Sequence, residues 1–295
     1  MSAFGTERIF LNVERSLGGR RWLHALDPRS EALATQMSQA HGLPDIVSRV
    51  LAARGIAPDD AERFLAPTIR DLMPDPSTLT DMDVAAARIA DAVARKERIA
   101  IFGDYDVDGA ASAALLHRYL LRFGIEAPIR IPDRLTEGYG PNPAALAALA
   151  DAGATLIVTV DCGTTSPEAI AAVAGRADVV VLDHHQTGAE LPAALAVVNP
   201  NRQDDLSGLG HLCAAGVVFM TLVSVSRVLR ARGVPNLPDL MDELDLVALA
   251  TVCDVVPLLG LNRAFVIRGM AAMRAQRNVG PVSYTHLRAH ETRGN

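Results

Sequence analysis

The feature that most restricts how this chain can fold is the segment IFGDYDVDGA, residues 101–110, where three carboxylates alternate directly after an apolar run. Asp104, Asp106 and Asp108 carry like charges that repel one another, so a compact arrangement of them needs a cation. The preceding residues, 98–103, are typical of a short buried strand. If the chain stays extended beyond that strand, the three side chains point the same way. The segment therefore predicts a cation site at the carboxyl end of a strand.

The same D-x-D-x-D-G pattern begins the calcium loop of an EF-hand, which is an alternative to consider. An EF-hand loop ends with a bidentate Glu at its twelfth position, and counting from Asp104 that position is Leu115. An EF-hand loop also follows a helix, whereas this segment follows a strand-like run. We therefore reject the EF-hand. In an open α/β sheet ligands collect at the carboxyl ends of strands, so we expect further metal-binding residues to converge there.

Apolar runs alternate with helical patterns through the middle of the chain, which predicts an α/β fold. The predicted strands are 98–103, 128–132, 155–160, 178–182 and 195–198, and the helices between them are 110–123, 142–152 and 166–175. Such an alternation indicates a mostly parallel, doubly wound sheet with helices on both faces. One helix begins near Asp83, before the first strand, and longer helices follow near 213–231, 239–252 and 261–277.

We predict four regions along the chain. They are a helical N-terminal extension over 1–80 with helices at 30–37, 45–54 and 59–65, an α/β domain over 81–257, a C-terminal linker helix over 258–281, and a tail over 282–295. Apolar periodicity stops in the tail, which we interpret as a foreign segment and exclude from fold reasoning. His286 and His290 are spaced there like metal ligands, but no Glu follows the first His, as a metalloprotease motif requires.

Composition and charge narrow the class of function. A length of 295 residues with 49% hydrophobic content supports about two domains with a sizeable core. The sequence has no run of about 18 uncharged apolar residues and no leader-like N-terminus, which predicts a cytoplasmic protein with no membrane partner. Three widely spaced cysteines favour reduced thiols. The net charge of −6 gives no electrostatic footprint for nucleic acid, although an Asp-rich metal site inflates the negative count.

Three more segments place metal-binding residue types after apolar patterns. Asp161 and the triplet Asp183-His184-His185 each follow a strand-like run, and Asp254 lies where a helical pattern breaks before Pro257. A lone Asp after a strand is commonly a helix N-cap, but the segments together predict one shared site. Carboxylates with one or two imidazoles suit Mn²⁺ or Mg²⁺ better than structural zinc. Such a set can hold two ions that activate water and stabilise an in-line displacement at phosphorus.

These segments resemble the motifs of the DHH phosphoesterases. FGDYDVDG, DCG, DHH and CDVVPL occur in the order, and on the elements, of the four motifs of that family. The longer context, which includes RGIAPDDAERFLAP, IPDRLTEGYGPN and VVNPNR, is similar to the RecJ branch of bacterial 5′→3′ exonucleases specific for single-stranded DNA. The resemblance covers nearly everything from Trp22 to about Arg277.

The resemblance implies a role for each residue of the site. The ligands implied for one ion are Asp104, Asp106 and Asp161, and those for the other are Asp108, Asp161, His184 and Asp254. His185 would lie beside the scissile phosphate, or else be a buried, hydrogen-bonded histidine, and Asp183 would orient an imidazole. Arg134 and the turn Gly138-Tyr139-Gly140 are candidates for holding a phosphate, although that turn equally fits an ordinary helix start at Asn142.

The function implied by the resemblance is phosphodiester hydrolysis of single-stranded DNA by two ions, Mn²⁺ or Mg²⁺, in DNA repair and recombination. Implied protein partners are a single-strand-binding protein and a RecQ-type helicase. Full-length members continue into a second core domain and an OB-fold that grips single strands, so we interpret the chain as an N-terminal fragment that is poorly active alone. Two alternatives stay open. One is a DHH phosphatase acting on short oligonucleotides, cyclic dinucleotides or pyrophosphate, and the other is a silent scaffold, against which the intact ligand set argues.

Overall fold

A computed structural model of the chain describes residues 8–275 and 278–280. The chain divides into two compact units, residues 1–68 and 69–295, which we describe separately. The four regions predicted from the sequence remain a prediction. The predicted tail over 282–295, with His286 and His290, lies outside the described residues.

The first unit is helical. Its α-helices are α1 (Pro28–His41), α2 (Asp45–Ala53) and α3 (Ala61–Leu65), with 3₁₀ turns at Phe10–Asn12 and Pro58–Asp60. Helix α1 begins after Asp27, whose carboxylate accepts a hydrogen bond from Ser30 N, and it ends at Gly42 in the left-handed conformation. A small apolar cluster that includes Met37 and Leu51 forms the core of this unit.

The second unit is an α/β domain, as the sequence pattern predicts. Its helices are α4 (Ile69–Leu72), α5 (Met82–Arg95), α6 (Val107–Leu121), α7 (Pro143–Asp151), α8 (Pro167–Ala171), α9 (Ala214–Ala231), α10 (Leu244–Cys253) and α11 (Gly260–Arg274). Its strands are β1 (Ile99–Gly103), β2 (Ile129–Arg130), β3 (Leu156–Val160), β4 (Asp178–Leu182) and β5 (Ala196–Val198), and 3₁₀ turns lie at Pro76–Thr78 and Leu240–Glu243. The strand order is β2-β1-β3-β4-β5, and every pair is parallel. The predicted fold class is confirmed.

Alternation along each strand divides the core between the two faces of the sheet. In β1, Ile99 and Ile101 belong to a large cluster with α5, α6 and α9, whereas Ala100 and Phe102 belong to a cluster with α7 and α8. Both faces are covered by helices, which is why the strands read as unbroken apolar runs instead of alternating with polar residues.

Several predicted elements are shorter than the sequence pattern indicated, and the helix predicted over 239–252 is a 3₁₀ turn at Leu240–Glu243 followed by α10 from Leu244. Strand β2 spans Ile129–Arg130 instead of 128–132, because it lies at the sheet edge between Pro128 and Pro132, which have no backbone N–H to donate. Helix α8 ends at Ala171 instead of 175, and hydrogen bonds between residues three apart continue the chain from there to Arg176.

Helix α6 begins three residues earlier than predicted, and this corrects the geometry expected for the carboxylate segment. Asp106 is the N-cap of the helix, and its side chain accepts a hydrogen bond from Gly109 N at 2.9 Å. Asp108 therefore lies in the first helical turn. The expectation of an extended chain with three carboxylates pointing one way is wrong, because helix capping by Asp106 turns the chain immediately after the strand.

Helix α9 is the core helix of this unit. Among the described residues it is the one helix long and apolar enough to cross a membrane, with a mean hydropathy of 1.5 over its 18 residues. However, 72% of it is buried inside the fold, as expected for a helix that packs against a sheet.

Helix α11, which falls in the predicted linker region, packs into the same core. Leu261, Ala264 and Phe265 are buried, and the Phe265 ring meets Phe219 of α9 edge to face at 5.1 Å. Gly269 allows α11 to approach α10 closely, since a Cβ atom there would overlap the carbonyl oxygen of Leu244 and the Cβ of Ala248.

The close approach of α11 to α10 predicts that Gly269→Ala destabilises the protein by about 1–3 kcal/mol, because the added methyl group overlaps backbone. Gly216→Ala in α9 is the matched control, since its Cβ would lie 3.4 Å from Leu212 and helix propensity favours Ala. Urea unfolding followed by circular dichroism measures both. Equal unfolding midpoints for the two variants would show that α11 does not pack as described.

Candidate metal centre

The candidate site lies at the carboxyl edge of the sheet, where three neighbouring strands end. Asp104 follows β1, Asp161 follows β3 and Asp183 follows β4. The sheet hydrogen bonds continue into this edge, because Asp161 N donates to Leu182 O at 2.9 Å and Asp183 N donates to Val198 O at 3.1 Å. The strand register therefore fixes the backbone on which these carboxylates are mounted.

The structure brings the six predicted ligands into overlapping groups. Asp104, Asp106 and Asp161 each place one carboxylate oxygen within 4.8 Å of the others. A second group with the same spacing contains Asp108, His184 and Asp254.

His184 and Asp161 connect the two groups. The Nε2 atom of His184 lies 3.3 Å from Asp161 Oδ1, 3.6 Å from Asp108 Oδ2 and 3.7 Å from Asp254 Oδ2. Asp161, His184 and His185 also form a group of their own. Asp161 thus belongs to the first group and lies next to His184 of the second.

Several ligand atoms of the site are buried and, within the described residues, have no hydrogen-bond partner. They are Asp104 Oδ1, both carboxylate oxygens of Asp161, His184 Nε2 and Asp254 Oδ2. Buried polar atoms are normally paired, because an unpaired one costs on the order of 1–3 kcal/mol. Oxygen atoms with an imidazole nitrogen are the donors that Mn²⁺ accepts, so the residues present fit a divalent cation.

Burial and mutual repulsion shape the electrostatics of the site. Burial raises the pKa of Asp161 to about 10, and the charges of Asp108 and Asp106 add to the effect. Burial likewise raises the pKa of Asp108 to about 6 and the pKa values of Asp104 and Asp254 above their usual range. A bound cation would favour the ionised carboxylates instead.

Asp108 is held by the amino terminus of α9. Its Oδ2 accepts a hydrogen bond from Ala214 N at 2.6 Å and its Oδ1 accepts one from Ala215 N at 2.8 Å. The N-cap residue of α9, Cys213, makes no side-chain capping bond, so Asp108 performs that role from α6. The positive end of the α9 dipole also favours a carboxylate at this position.

Asp183 orients the loop that carries the two histidines. Its carboxylate accepts hydrogen bonds from the backbone N–H groups of Thr164, His184 and His185 at 3.1, 2.8 and 3.2 Å, and from His185 Nδ1 at 2.8 Å. Burial opposes ionisation, but the bonds from His185 and Thr164 outweigh it and hold the pKa of Asp183 at about 2. These contacts are what an orienting role requires.

His185 lies at the open side of the site. Its side chain is 43% exposed, which does not match the alternative of a buried histidine. The hydroxyl of Tyr139 lies 3.1 Å from His185 Nε2 and 3.1 Å from the carbonyl oxygen of Asp161. The hydrogen bond to Asp183 raises the pKa of His185.

The turn Gly138-Tyr139-Gly140 is both a helix start and a wall of the site. Asn142 caps α7 by accepting a hydrogen bond from Ala145 N at 2.8 Å, which is the ordinary role considered above. The same turn brings Tyr139 to His185, with Gly138 and Gly140 in the left-handed conformation. Arg134 is exposed and stacks on Tyr105 at 5.1 Å, and Tyr105 meets Tyr139 edge to face.

Sequence reasoning missed Asn199, which lies in the quoted segment VVNPNR. It is fully buried, and its amide donates to Thr164 Oγ1 and to the carbonyl oxygen of His185, both at 3.0 Å. An Asn directly after an apolar strand was the available signal. Its contacts tie the loop after β3 to the loop after β4.

Two non-glycine residues near the ligands have a left-handed backbone. Asp161 has φ +60°, and Val255, which directly follows Asp254, has φ +58°. This conformation is a genuine outlier for a β-branched residue such as Val and costs on the order of 1–3 kcal/mol. Such strain is typical of functional sites, where the surrounding structure fixes the backbone.

Comparison with known proteins agrees with this geometry. Residues 98–251 match the N-terminal domain of the DHH family. The chain belongs to the DHH family. The matched range contains five of the six predicted ligands, and Asp254 lies just beyond it.

Within the DHH family the chain is similar to RecJ proteins. It is 33% identical over 254 residues to the single-stranded-DNA-specific exonuclease RecJ of Bacillus subtilis, covering 86% of this chain and 31% of the relative. It is 39% identical over 242 residues to RecJ of Dickeya dadantii, covering 79% and 41%. A crystal structure of RecJ from Thermus thermophilus in complex with Mn²⁺ superimposes with a TM-score of 0.71 at 28% identity, covering 89% of this chain and 36% of that one. The chain therefore spans less than half the length of these relatives.

The contact between Gly109 and Asp104 predicts that Gly109→Ala weakens cation binding. A Cβ atom at position 109 would lie 2.5 Å from the carbonyl oxygen of Asp104, so the backbone that carries Asp104 must move. We expect a loss of about 1–3 kcal/mol in stability and a weaker Mn²⁺ affinity by calorimetric titration. Gly216→Ala is again the control, and wild-type Mn²⁺ binding by Gly109→Ala would refute the proposed dependence.

Proposed function

We propose that this DHH-family chain is a metal-dependent phosphodiesterase that removes nucleotides from single-stranded DNA in the 5′→3′ direction. The observation that carries the proposal is the pair of ligand groups that adjoin at the strand edge where α/β proteins bind ligands, with the buried Asp161 of the first group 3.3 Å from His184 of the second. Similarity to proteins named as single-stranded-DNA-specific exonucleases supports the substrate class.

We assign the ions as the resemblance implies. Asp104, Asp106 and Asp161 would hold one divalent ion, and Asp108, Asp161, His184 and Asp254 would hold the other. Manganese and magnesium are the candidates, since relatives from Thermus thermophilus have been crystallised in complex with each. A pair of bound ions would supply an activated water and stabilise the attacking and leaving oxygens of a displacement at phosphorus.

Residues of the chain itself would position the phosphodiester. The half-exposed His185 imidazole, with Nδ1 bonded to Asp183, would donate a hydrogen bond from Nε2 to a phosphate oxygen. The Tyr139 hydroxyl, which donates to the carbonyl oxygen of Asp161, lies 3.1 Å from that nitrogen and would keep the ring in place. Arg134 and the backbone of the Gly138–Gly140 turn would neutralise and hold the phosphate of an adjoining nucleotide.

The wider role follows from the same similarity and is part of the proposal. We place the protein in the cytoplasm, in DNA repair and recombination, where a single-strand-binding protein and a RecQ-type helicase would supply and present the strand. The metal centre does not depend on these partners, because all of its ligands come from residues 104–254 of this chain.

The proposal predicts that Asp161→Ala abolishes hydrolysis, with a loss of at least about 1,000-fold, because the shared ligand contacts both ions. The assay follows a 5′-labelled di- or trinucleotide, the substrates that this chain is expected to cleave, with Mn²⁺ and records product formation over time. Glu168→Ala, at an acidic residue in the first turn of α8, is the control and should retain activity. Activity of Asp161→Ala near the wild-type level would contradict the proposal.

A companion prediction concerns substrate length. We expect this 295-residue chain to cleave di- and trinucleotides with Mn²⁺ but to degrade long single strands poorly. A long strand needs a positively charged groove with aromatic side chains on which bases stack, and a net charge of −6 with 4% aromatic residues provides little of either. The two substrates are compared at equal enzyme concentration. Processive degradation of the long strand by this chain would show that the surface that binds a long strand lies within these residues. If longer relatives cleaved only short substrates as well, the alternative function of a phosphatase acting on short oligonucleotides would be favoured.

A further inference from the structure

Two asparagine side chains connect the loops around the second ligand group. The first is Asn201, whose Nδ2 donates to the carbonyl oxygen of His184 at 2.5 Å and to that of Gly210 at 3.1 Å. Its backbone N–H donates to Asn199 Oδ1 at 2.8 Å, which fixes its own position. Asn201 therefore links the backbone of a ligand, His184, to the loop that precedes α9.

The second is Asn262 of α11, which is fully buried. Its Nδ2 donates to the carbonyl oxygen of His211 at 2.5 Å and to that of Pro257 at 3.0 Å. Pro257 lies three residues beyond the ligand Asp254. Asn262 therefore links the loop that carries Asp254 to the same loop before α9.

The two amides meet at adjacent residues, Gly210 and His211, just before the amino terminus of α9. That terminus holds Asp108 through Ala214 N and Ala215 N. These hydrogen bonds, joined through the short backbone segment 210–215, thus connect the segments that position Asp108, His184 and Asp254. These three residues are the second ligand group, whose ligand atoms lie within 4.8 Å of one another.

The first ligand group has a different support. Asp104 and Asp161 are mounted on the ends of the paired strands β1 and β3, and Asp106 caps α6. We propose that Asn201 and Asn262 are positioning residues for one of the two ion sites, the one that Asp108, His184 and Asp254 would form together with the shared Asp161. This inference rests on the two-ion site of the proposed function and adds that, apart from Asp161, the ligands of the two ions are held by different contacts.

The chemistry of an amide explains why asparagine is suited to both positions. A single Nδ2 carries two N–H donors, and each asparagine uses them on two carbonyl oxygens from different loops. A carboxylate at the same position has nearly the same shape but no donor, so it would repel both carbonyl oxygens. Residues that orient metal ligands typically change metal affinity 10–100-fold when they are replaced.

The test is a Mn²⁺ titration of the full chain in which electron paramagnetic resonance measures free Mn²⁺ and so counts the sites. We expect two sites in the wild type. In Asn262→Asp and in Asn201→Asp we expect one site of unchanged affinity and one site weakened at least tenfold. Tyr119→Phe is the matched control. It removes a buried hydrogen bond of 2.8 Å between Tyr119 of α6 and Ser226 of α9, and this bond lies near the ends of the two helices that are far from the site.

Double variants identify which site is affected. Asn262→Asp combined with Asp254→Ala should bind Mn²⁺ no more weakly than Asp254→Ala alone, because both changes act on the same site. Asn262→Asp combined with Asp106→Ala should weaken both sites. Asn201 is partly exposed, so its variant tests the inference even if Asn262→Asp does not fold.

The outcomes separate the inference from the proposed function. A wild type that binds no Mn²⁺ would refute the two-ion site itself. A wild type with two sites, combined with asparagine variants that keep both or that weaken both equally, would overturn the inference and leave the proposed function intact. Weakening of one site in Tyr119→Phe to the same extent would show that general loss of stability, not positioning, controls the affinity.

Discussion

The main physical constraint on this domain is the repulsion among the carboxylates that the fold buries at one edge of its sheet. Asp104, Asp108 and Asp161 are almost completely inaccessible to solvent, and burial raises the pKa of each. Such an arrangement is unfavourable by itself, because desolvation and like charge both oppose ionisation. It becomes favourable when a divalent cation occupies the space between the ligand atoms. The fold therefore stores a local instability that a bound cation relieves, which is typical of sites where function takes precedence over stability.

The rest of the domain can be understood as the support for that unfavourable cluster. Parallel strands place their carboxyl ends side by side, so the pairing of β1, β3 and β4 is enough to make the residues that follow them neighbours. Apolar side chains on both faces of these strands anchor the sheet between two layers of helices. Polar contacts then set the orientation of each ligand, through Asp183 for the histidine loop and through the α9 terminus for Asp108. Each ligand is held by an element whose own stability comes from burial elsewhere.

The sequence predicted the fold class and the convergence of the site because both depend on local patterns. Unbroken apolar runs followed by Asp identified three strands and their carboxyl ends, and these signals specified one edge. The sequence did not predict the path of residues 104–108, because alternating Asp residues are compatible with both a helix cap and an extended chain. In the structure Asp106 caps the helix by accepting a hydrogen bond from Gly109 N. The roles of Asn199 and Asn262 were also missed. The position of Asn199 after an apolar strand was a usable signal, whereas Asn262 acts through contacts to carbonyl groups distant in sequence, such as that of His211, which no local pattern encodes.

The two ligand groups differ in the kind of structure that holds them, and this difference has a physical consequence. Strand ends and a helix cap hold Asp104, Asp106 and Asp161, and the sheet hydrogen bonds extend to Asp161 itself. The second group is supported less uniformly: the amino terminus of α9 holds Asp108, Asp254 ends α10, and a loop carries His184. Val255, directly after Asp254, is strained and 85% exposed. Loops have lower local stability than a buried parallel sheet, so His184 and the segment after Asp254 can adjust more readily than the first group. An adjustment of the ligand shell when a cation or a phosphate binds would therefore fall on His184 and the segment after Asp254, and it would leave the sheet in place.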